Sequence, residues 1–276
     1  MFILEILKVI VLGIVEGITE WLPVSSTGHM ILLDEFIMLR VTPEFLEMFL
    51  VVIQLGAIMA VPVLFFERLN PFVKSKEERS ARLVLWGKVL AGSLPAAILG
   101  FLLDDLLDRY LYNYVVVALS LIVYGVVFIF IDKIRAEKKY AIETVEALSY
   151  TDAIKIGAFQ ALSLIPGTSR SGATILGGML IGASRNASAE FSFFMAIPIM
   201  LGASGLKIIK YLLGGFRASY PECILLLLGI AVSFIVSLTV IKFLIDFVKK
   251  HDFKAFGYYR IILGMAVLVY FVLKKV

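Results

Sequence analysis

Three stretches of this chain, 48–66, 110–131 and 223–241, contain no Asp, Glu, Lys or Arg. Each is close to the roughly 20 residues an α-helix needs to cross the hydrocarbon core of a bilayer. In lipid every backbone N–H and C=O must find its partner within the protein, and a helix does this within one segment. Residues 83–103 form a fourth candidate, interrupted only by Lys88. Two shorter runs, 191–206 and 261–273, reach spanning length if the flanking Lys207, Lys210, Arg260 and Lys274 snorkel to the polar surface. Composition agrees, at 61% hydrophobic and 17% charged with a mean hydropathy of +0.97. The expectation is an all-α integral membrane protein, a single membrane domain over 1–276. Six transmembrane helices are expected near 45–66, 83–103, 110–131, 188–210, 222–243 and 257–274.

Basic residues orient this array. The connections 67–82, 132–152 and 242–258 carry 5, 4 and 4 Lys or Arg, against 1 in 104–112 and 3 in 207–222. The first set is therefore expected in the cytoplasm, where such loops read as topology determinants and anionic-lipid contacts, not nucleic-acid sites. The first turns, with Glu5 and Lys8, lack the basic leader and cleavage site of a signal peptide and read as mature protein. One cysteine, Cys223, excludes an internal disulfide and most thiolate metal sites.

Residues 3–38 and 153–183 are apolar, yet Pro, Gly, Ser and Thr break each near its middle. With halves too short to cross, each reads as a re-entrant helical hairpin, tolerable where protein or a water-filled cavity surrounds the irregular backbone. Gly13 and Glu16 match Gly157 and Gln160 at an offset of 144, and Pro23, Ser26 and Glu47 match Pro166, Ser169 and Glu190 at 143. The chain thus divides into repeat 1, about 1–135, and repeat 2, about 150–276, each a hairpin followed by three spans. Three crossings per unit invert the second copy, so the hairpin tips are expected to meet near the midplane.

The chemistry concentrates at those tips, Glu16-Gly-Ile-Thr-Glu-Trp-Leu-Pro-Val-Ser-Ser-Thr-Gly-His29 and Pro166-Gly-Thr-Ser-Arg-Ser-Gly-Ala-Thr174. Ionisable groups at membrane depth cost roughly 2.5–3.5 kcal/mol each, so they need a compensating task. Glu16 and Glu20, four apart, share a helix face and repel; they are expected to be partly protonated or to share a cation, either Arg170 or a divalent metal. Ser25, Ser26 and Thr27 follow Pro23 at the start of a short helix, whose free amides suit an anion. Ser25 reads best as a cap, and Ser26, three residues before His29, as half of a nucleophile and base pair. Arg170, between Ser169 and Ser171 after Gly167, offers a fork of donors matched to phosphate oxygens. Against a ligand with two or more negative charges, a divalent cation on Glu16 and Glu20 balances the site. Oxygen ligands favour Mg²⁺ or Ca²⁺. Trp21, Tyr110, Tyr112, Tyr258 and Tyr259 are expected in interfacial belts.

These two motifs closely resemble the signature motifs of the bacterial undecaprenyl-diphosphate phosphatase family, associated with bacitracin resistance, and the resemblance covers essentially the whole chain. It implies removal of the terminal phosphate of undecaprenyl diphosphate in the cytoplasmic (inner) membrane, with a pocket opening to the outer side. By the family's pattern Glu16 and Glu20 belong to the motif tied to metal and substrate. Ser26 and His29 match the catalytic pair, and Arg170 with Ser169, Ser171 and Thr174 the phosphate-binding loop, which Ser25, Thr27 and Gly167 would extend. Which of Ser26 and His29 attacks phosphorus stays open; Ser26 as nucleophile with His29 as base is the working assignment. The partners implied are a polyprenyl diphosphate, membrane lipids and a second copy in a homodimer. A different class, a secondary transporter or flippase for a prenyl phosphate or small anion, shares the inverted-repeat architecture.

Overall fold

The computed structural model describes residues 2–135 and 140–274. Met1, residues 136–139 and residues 275–276 lie outside the described residues, and with them Lys138 and Lys139 of the basic connection. Among the described residues the regular structure is helical, apart from one isolated bridge between Ile142 and Ala183.

Among the described residues, six helical segments are long and apolar enough to cross a membrane: Pro43–Leu64, Lys76–Leu103, Tyr114–Ile131, Arg185–Leu213, Tyr220–Lys250 and Lys254–Lys274. The first is two helices, α3 (Pro43–Val52) and α4 (Gln54–Leu64), with the short α5 (Phe66–Leu69) after it. α6 (Lys76–Leu111) runs well beyond the expected 83–103 because Ser75 caps it and Lys76 to Arg82 continue the helix into the polar connection. α7 (Tyr114–Arg135), α10 (Arg185–Leu213), α11 (Tyr220–Lys250) and α12 (Lys254–Lys274) complete the set. α11 likewise extends past the expected 243, through its basic last turn at Lys249 and Lys250.

Two helix pairs stand apart from these. α1 (Phe2–Thr19) is followed by α2 (Ser26–Phe36), and α8 (Tyr150–Ala161) by α9 (Arg170–Ile181). With 11, 12 and 12 residues, α2, α8 and α9 extend only about 16–18 Å, short of the hydrocarbon thickness. α1 is the longest of the four arms, with 18 residues, about 27 Å, and it is not among the segments long and apolar enough to cross.

The pairs are woven between the long helices. α1 packs on α11 and α8 on α6, while α7 packs along α12. Small residues allow the closest of these approaches: a Cβ on Gly157 would stand 1.9 Å from the carbonyl oxygen of Gly92, so α8 and α6 touch backbone to backbone there. A buried aromatic core formed by Trp21, Phe65, Phe191, Phe193 and Phe194 lies beneath the junction of the two pairs.

Candidate active site

Both helix pairs turn in the same way. Pro23 and Pro166 precede a serine with left-handed backbone, φ 71° at Ser25 and 73° at Ser169. Each serine caps the following helix, Ser25 accepting from the Gly28 amide at 3.3 Å and Ser169 from the Gly172 amide at 3.1 Å. A left-handed non-glycine residue costs about 1–3 kcal/mol and persists only where its surroundings enforce it. The enforcement is visible at Arg260. This side chain is fully buried and donates from Nη1 to the Pro23 carbonyl at 3.0 Å, and from Nη2 to the Gly167 and Thr168 carbonyls at 2.8 and 2.9 Å. Tyr124 and Phe128 hold the guanidinium between ring faces. One cation thus pins both turns. The expectation that Arg260 snorkels is overturned, because carbonyls freed by two helix breaks give the charge better partners inside than at the surface.

The two turns bring Glu20, Ser26 and Arg170 together. Arg170 Nη2 donates to Glu20 Oε1 at 2.9 Å, and the Ser26 hydroxyl donates to Glu20 Oε2 at 3.3 Å. The Arg170–Glu20 pair is nearly buried, with side chains 10% and 8% exposed. Arg170 Nη1 donates to the Ser192 carbonyl at 2.7 Å, and the guanidinium lies 5.6 Å over the Trp21 ring. Trp21 itself is buried, edge-on to Phe193, so its expected place in an interfacial belt is wrong; its ring forms the floor under Arg170. Glu16 is buried beside Glu20, with Oε1 unpartnered among the described residues.

His29 sits one turn along α2. Its Nδ1 is 2.7 Å from the Ser25 carbonyl, which fixes the proton on that nitrogen, and its Nε2 is 2.6 Å from the Tyr259 hydroxyl. Both ring nitrogens are thereby engaged, and the hydroxyl of Ser26 turns to Glu20 in place of His29. Tyr259, expected in a belt, stacks its ring on His29.

Of the remaining motif hydroxyls, Ser171 and Thr174 are fully buried. Ser171 Oγ reaches the Glu20 carbonyl at 3.1 Å, joining the two turns, and Thr174 Oγ1 lies 2.6 Å from Ser192 Oγ and 2.9 Å from the Arg170 carbonyl. Gly167 adopts φ +91°, and a Cβ there would meet the Val117 carbonyl at 2.4 Å. These three positions brace the second turn against the first, against α10 and against α7. Ser192, Tyr259 and Arg260 lie outside both motifs and were missed in the sequence. Only the arginine carried a signal there, as a charge inside the last apolar segment.

Thr27 and Pro166 open onto a cavity of about 890 Å³ between α6, α8 and α10. Its wall is mostly apolar, with Leu90, Leu94, Phe101, Ile199 and Leu206.

Comparison with known proteins covers nearly the full length. The profile of the family described as bacitracin resistance protein BacA matches residues 9–266. Proteins named undecaprenyl-diphosphatase are similar throughout. One from Acetivibrio thermocellus is 58% identical over 97% of this chain and 98% of its own length. Another from Enterococcus faecalis is 55% identical over 96% and 97%, and one from Desulfitobacterium hafniense is 52% identical over 98% of each. With the family profile over 9–266 and these relatives spanning nearly all of it, this chain belongs to the bacitracin resistance protein BacA family.

Proposed function

We propose that this protein hydrolyses undecaprenyl diphosphate to undecaprenyl phosphate and inorganic phosphate, recycling the lipid carrier of cell-wall synthesis and conferring bacitracin resistance. The observation that carries the reading is the chain Ser26–Glu20–Arg170 across two separate turns, whose neighbours Thr27 and Pro166 stand in the wall of an apolar cavity. A hydroxyl, a carboxylate that accepts its proton and a guanidinium suit phosphoryl transfer, and the adjoining cavity suits a prenyl tail. The relatives' shared name supports the same substrate.

In this mechanism Ser26 Oγ attacks the distal phosphorus in line with the bridging oxygen, and the bond to that oxygen breaks, releasing the lipid monophosphate. Water then frees phosphate from the serine. The hydroxyl proton passes to Glu20 Oε2, its hydrogen-bond acceptor, so Glu20 takes the base role first assigned to His29. His29, oriented by Ser25 and Tyr259, serves the departing or entering oxygen. Arg170 and the amides at the starts of α2 and α9 stabilise the equatorial oxygens as charge develops.

A divalent cation fits the donor set. Mg²⁺ commonly uses one or two carboxylates plus substrate phosphates, and Glu16, with its unpartnered buried oxygen, and Glu20 are the residues that would hold it. When bound it neutralises phosphate charge.

The cavity is lined by the second half of α6, Leu90 to Phe101, and by Pro198 to Leu206 of α10, away from the basic connection 67–82. This supports a pocket opening to the outer side of the cytoplasmic membrane. The deciding experiment is phosphate release from undecaprenyl diphosphate by the purified protein in detergent. Ser26→Ala and Arg170→Ala should each lower turnover about 10²–10³-fold or more, and chelation should lower it too. A folded protein that binds the lipid without releasing phosphate is a transporter instead.

A further inference from the structure

Gln160 occupies the last turn of α8, ahead of the break that leads to Ser169. It is fully buried, and neither Nε2 nor Oε1 of its amide has a partner among the described residues. Buried amides are nearly always satisfied, because desolvation without a new hydrogen bond is uncompensated. The same residue forms part of the wall of the 890 Å³ cavity, beside Ser163, Pro166 and Thr27, where the wall meets the two turns. The unmet hydrogen-bonding capacity therefore stands at the boundary between the polar site and the apolar cavity.

Its position in the hairpin sharpens the point. Gln160 lies nine residues before the cap Ser169, as Glu16 lies nine before the cap Ser25. Both side chains are buried and both hold unpartnered polar atoms. A carboxylate at this position would repel an anionic ligand, whereas an amide of the same shape offers two N–H donors to it.

We propose that Gln160 is a substrate-contacting residue, its amide donating to the phosphate nearest the lipid tail of the bound prenyl diphosphate. The assignment rests on the phosphatase reading above. That phosphate stays with the lipid after cleavage, so the contact is made alike to substrate, transition state and product. It is uniform binding, which appears in KM and not in kcat.

The test is Gln160→Leu, with Gln160→Met as the second variant, assayed on undecaprenyl diphosphate with undecaprenyl phosphate as competing product. A lost hydrogen bond to a charged group should raise KM and the product inhibition constant together, about ten- to a hundredfold, with kcat nearly unchanged. The melting temperature should hold or rise, because the substitution removes an unpartnered buried amide. Unchanged KM and inhibition constant in both variants, beside a wild-type protein that turns over, would overturn this assignment and leave the phosphatase reading intact. A fall in kcat alone, or loss of folding in both variants, would also overturn it by making Gln160 catalytic or structural. A wild-type protein that releases no phosphate removes both readings.

Discussion

Arg260 does at the scale of one residue what a disulfide or metal does in other small sites. Its three bonds go to carbonyls that the breaks at Pro23 and Pro166 strip of helical partners. Arg260→Ala would leave three buried acceptors unmet and should destabilise the fold by about 3 kcal/mol or more, seen as a lower melting temperature in detergent. Arg260→Lys should restore little, because a compact ammonium does not present the planar fork that spans two turns. The motif residues Glu16, Glu20, Ser26, His29 and Arg170 were legible because polar groups in apolar sequence are conspicuous. Their pairing was not, because the sequence offers Ser26 both His29 and Glu20, and His29 is taken up by Ser25 and by Tyr259 from the last helix. Trp21 was misplaced for a related reason: its ring suits an interface, but Arg170 offers a cation–π contact that exists only once the hairpins meet.

At the scale of elements, the hairpins owe their form to local chemistry that the sequence states openly, a proline to end one helix and a serine to cap the next. What the sequence hides is the left-handed backbone of both serines, since serine rarely adopts it. That conformation also aligns Ser25 with Ser169, so that Ser26 corresponds to Arg170 and not, as the offset of 143 had it, to Ser169. Helix lengths were underestimated at α6 and α11, where helix continues through charged turns that apolar runs do not count. Packing between elements is tightest at Gly157 against Gly92, so Gly157→Ala should separate α8 from α6 and destabilise by about 1–3 kcal/mol. Gly205→Ala is the matched control: a Cβ there meets nothing within 4 Å. It should be neutral or stabilising by up to about 1 kcal/mol, and thermal melts of the two variants side by side check the contrast.

For the whole molecule, each half lends a hairpin arm to the other, α1 to α11 and α8 to α6. The ion pairs follow the same exchange. Glu47 of the first half pairs with Lys207 of the second, and Glu190 of the second pairs with Arg68 of the first at 2.7 Å. Burial alone would raise the Glu146 carboxyl, but the hydrogen bond and charge of the same Arg68, together with hydrogen bonds from the Glu146 backbone and the Thr144 side chain, hold Glu146 below the usual carboxylate range. Chains cut in the connection between α7 and Val145 should therefore be protease-sensitive when made singly and recover phosphate release only when co-expressed. The six-span layout was readable from hydropathy, whereas this exchange depends on which apolar face meets which, and uniformly apolar helices do not announce their partners. With both turns already clamped by one guanidinium, the polar end of the cavity is formed in advance, so capture is governed by how quickly lipid headgroups wander past it within the sheet of the bilayer. Crowding of substrate per unit of membrane area, more than its amount per unit of volume, then sets the pace of carrier return.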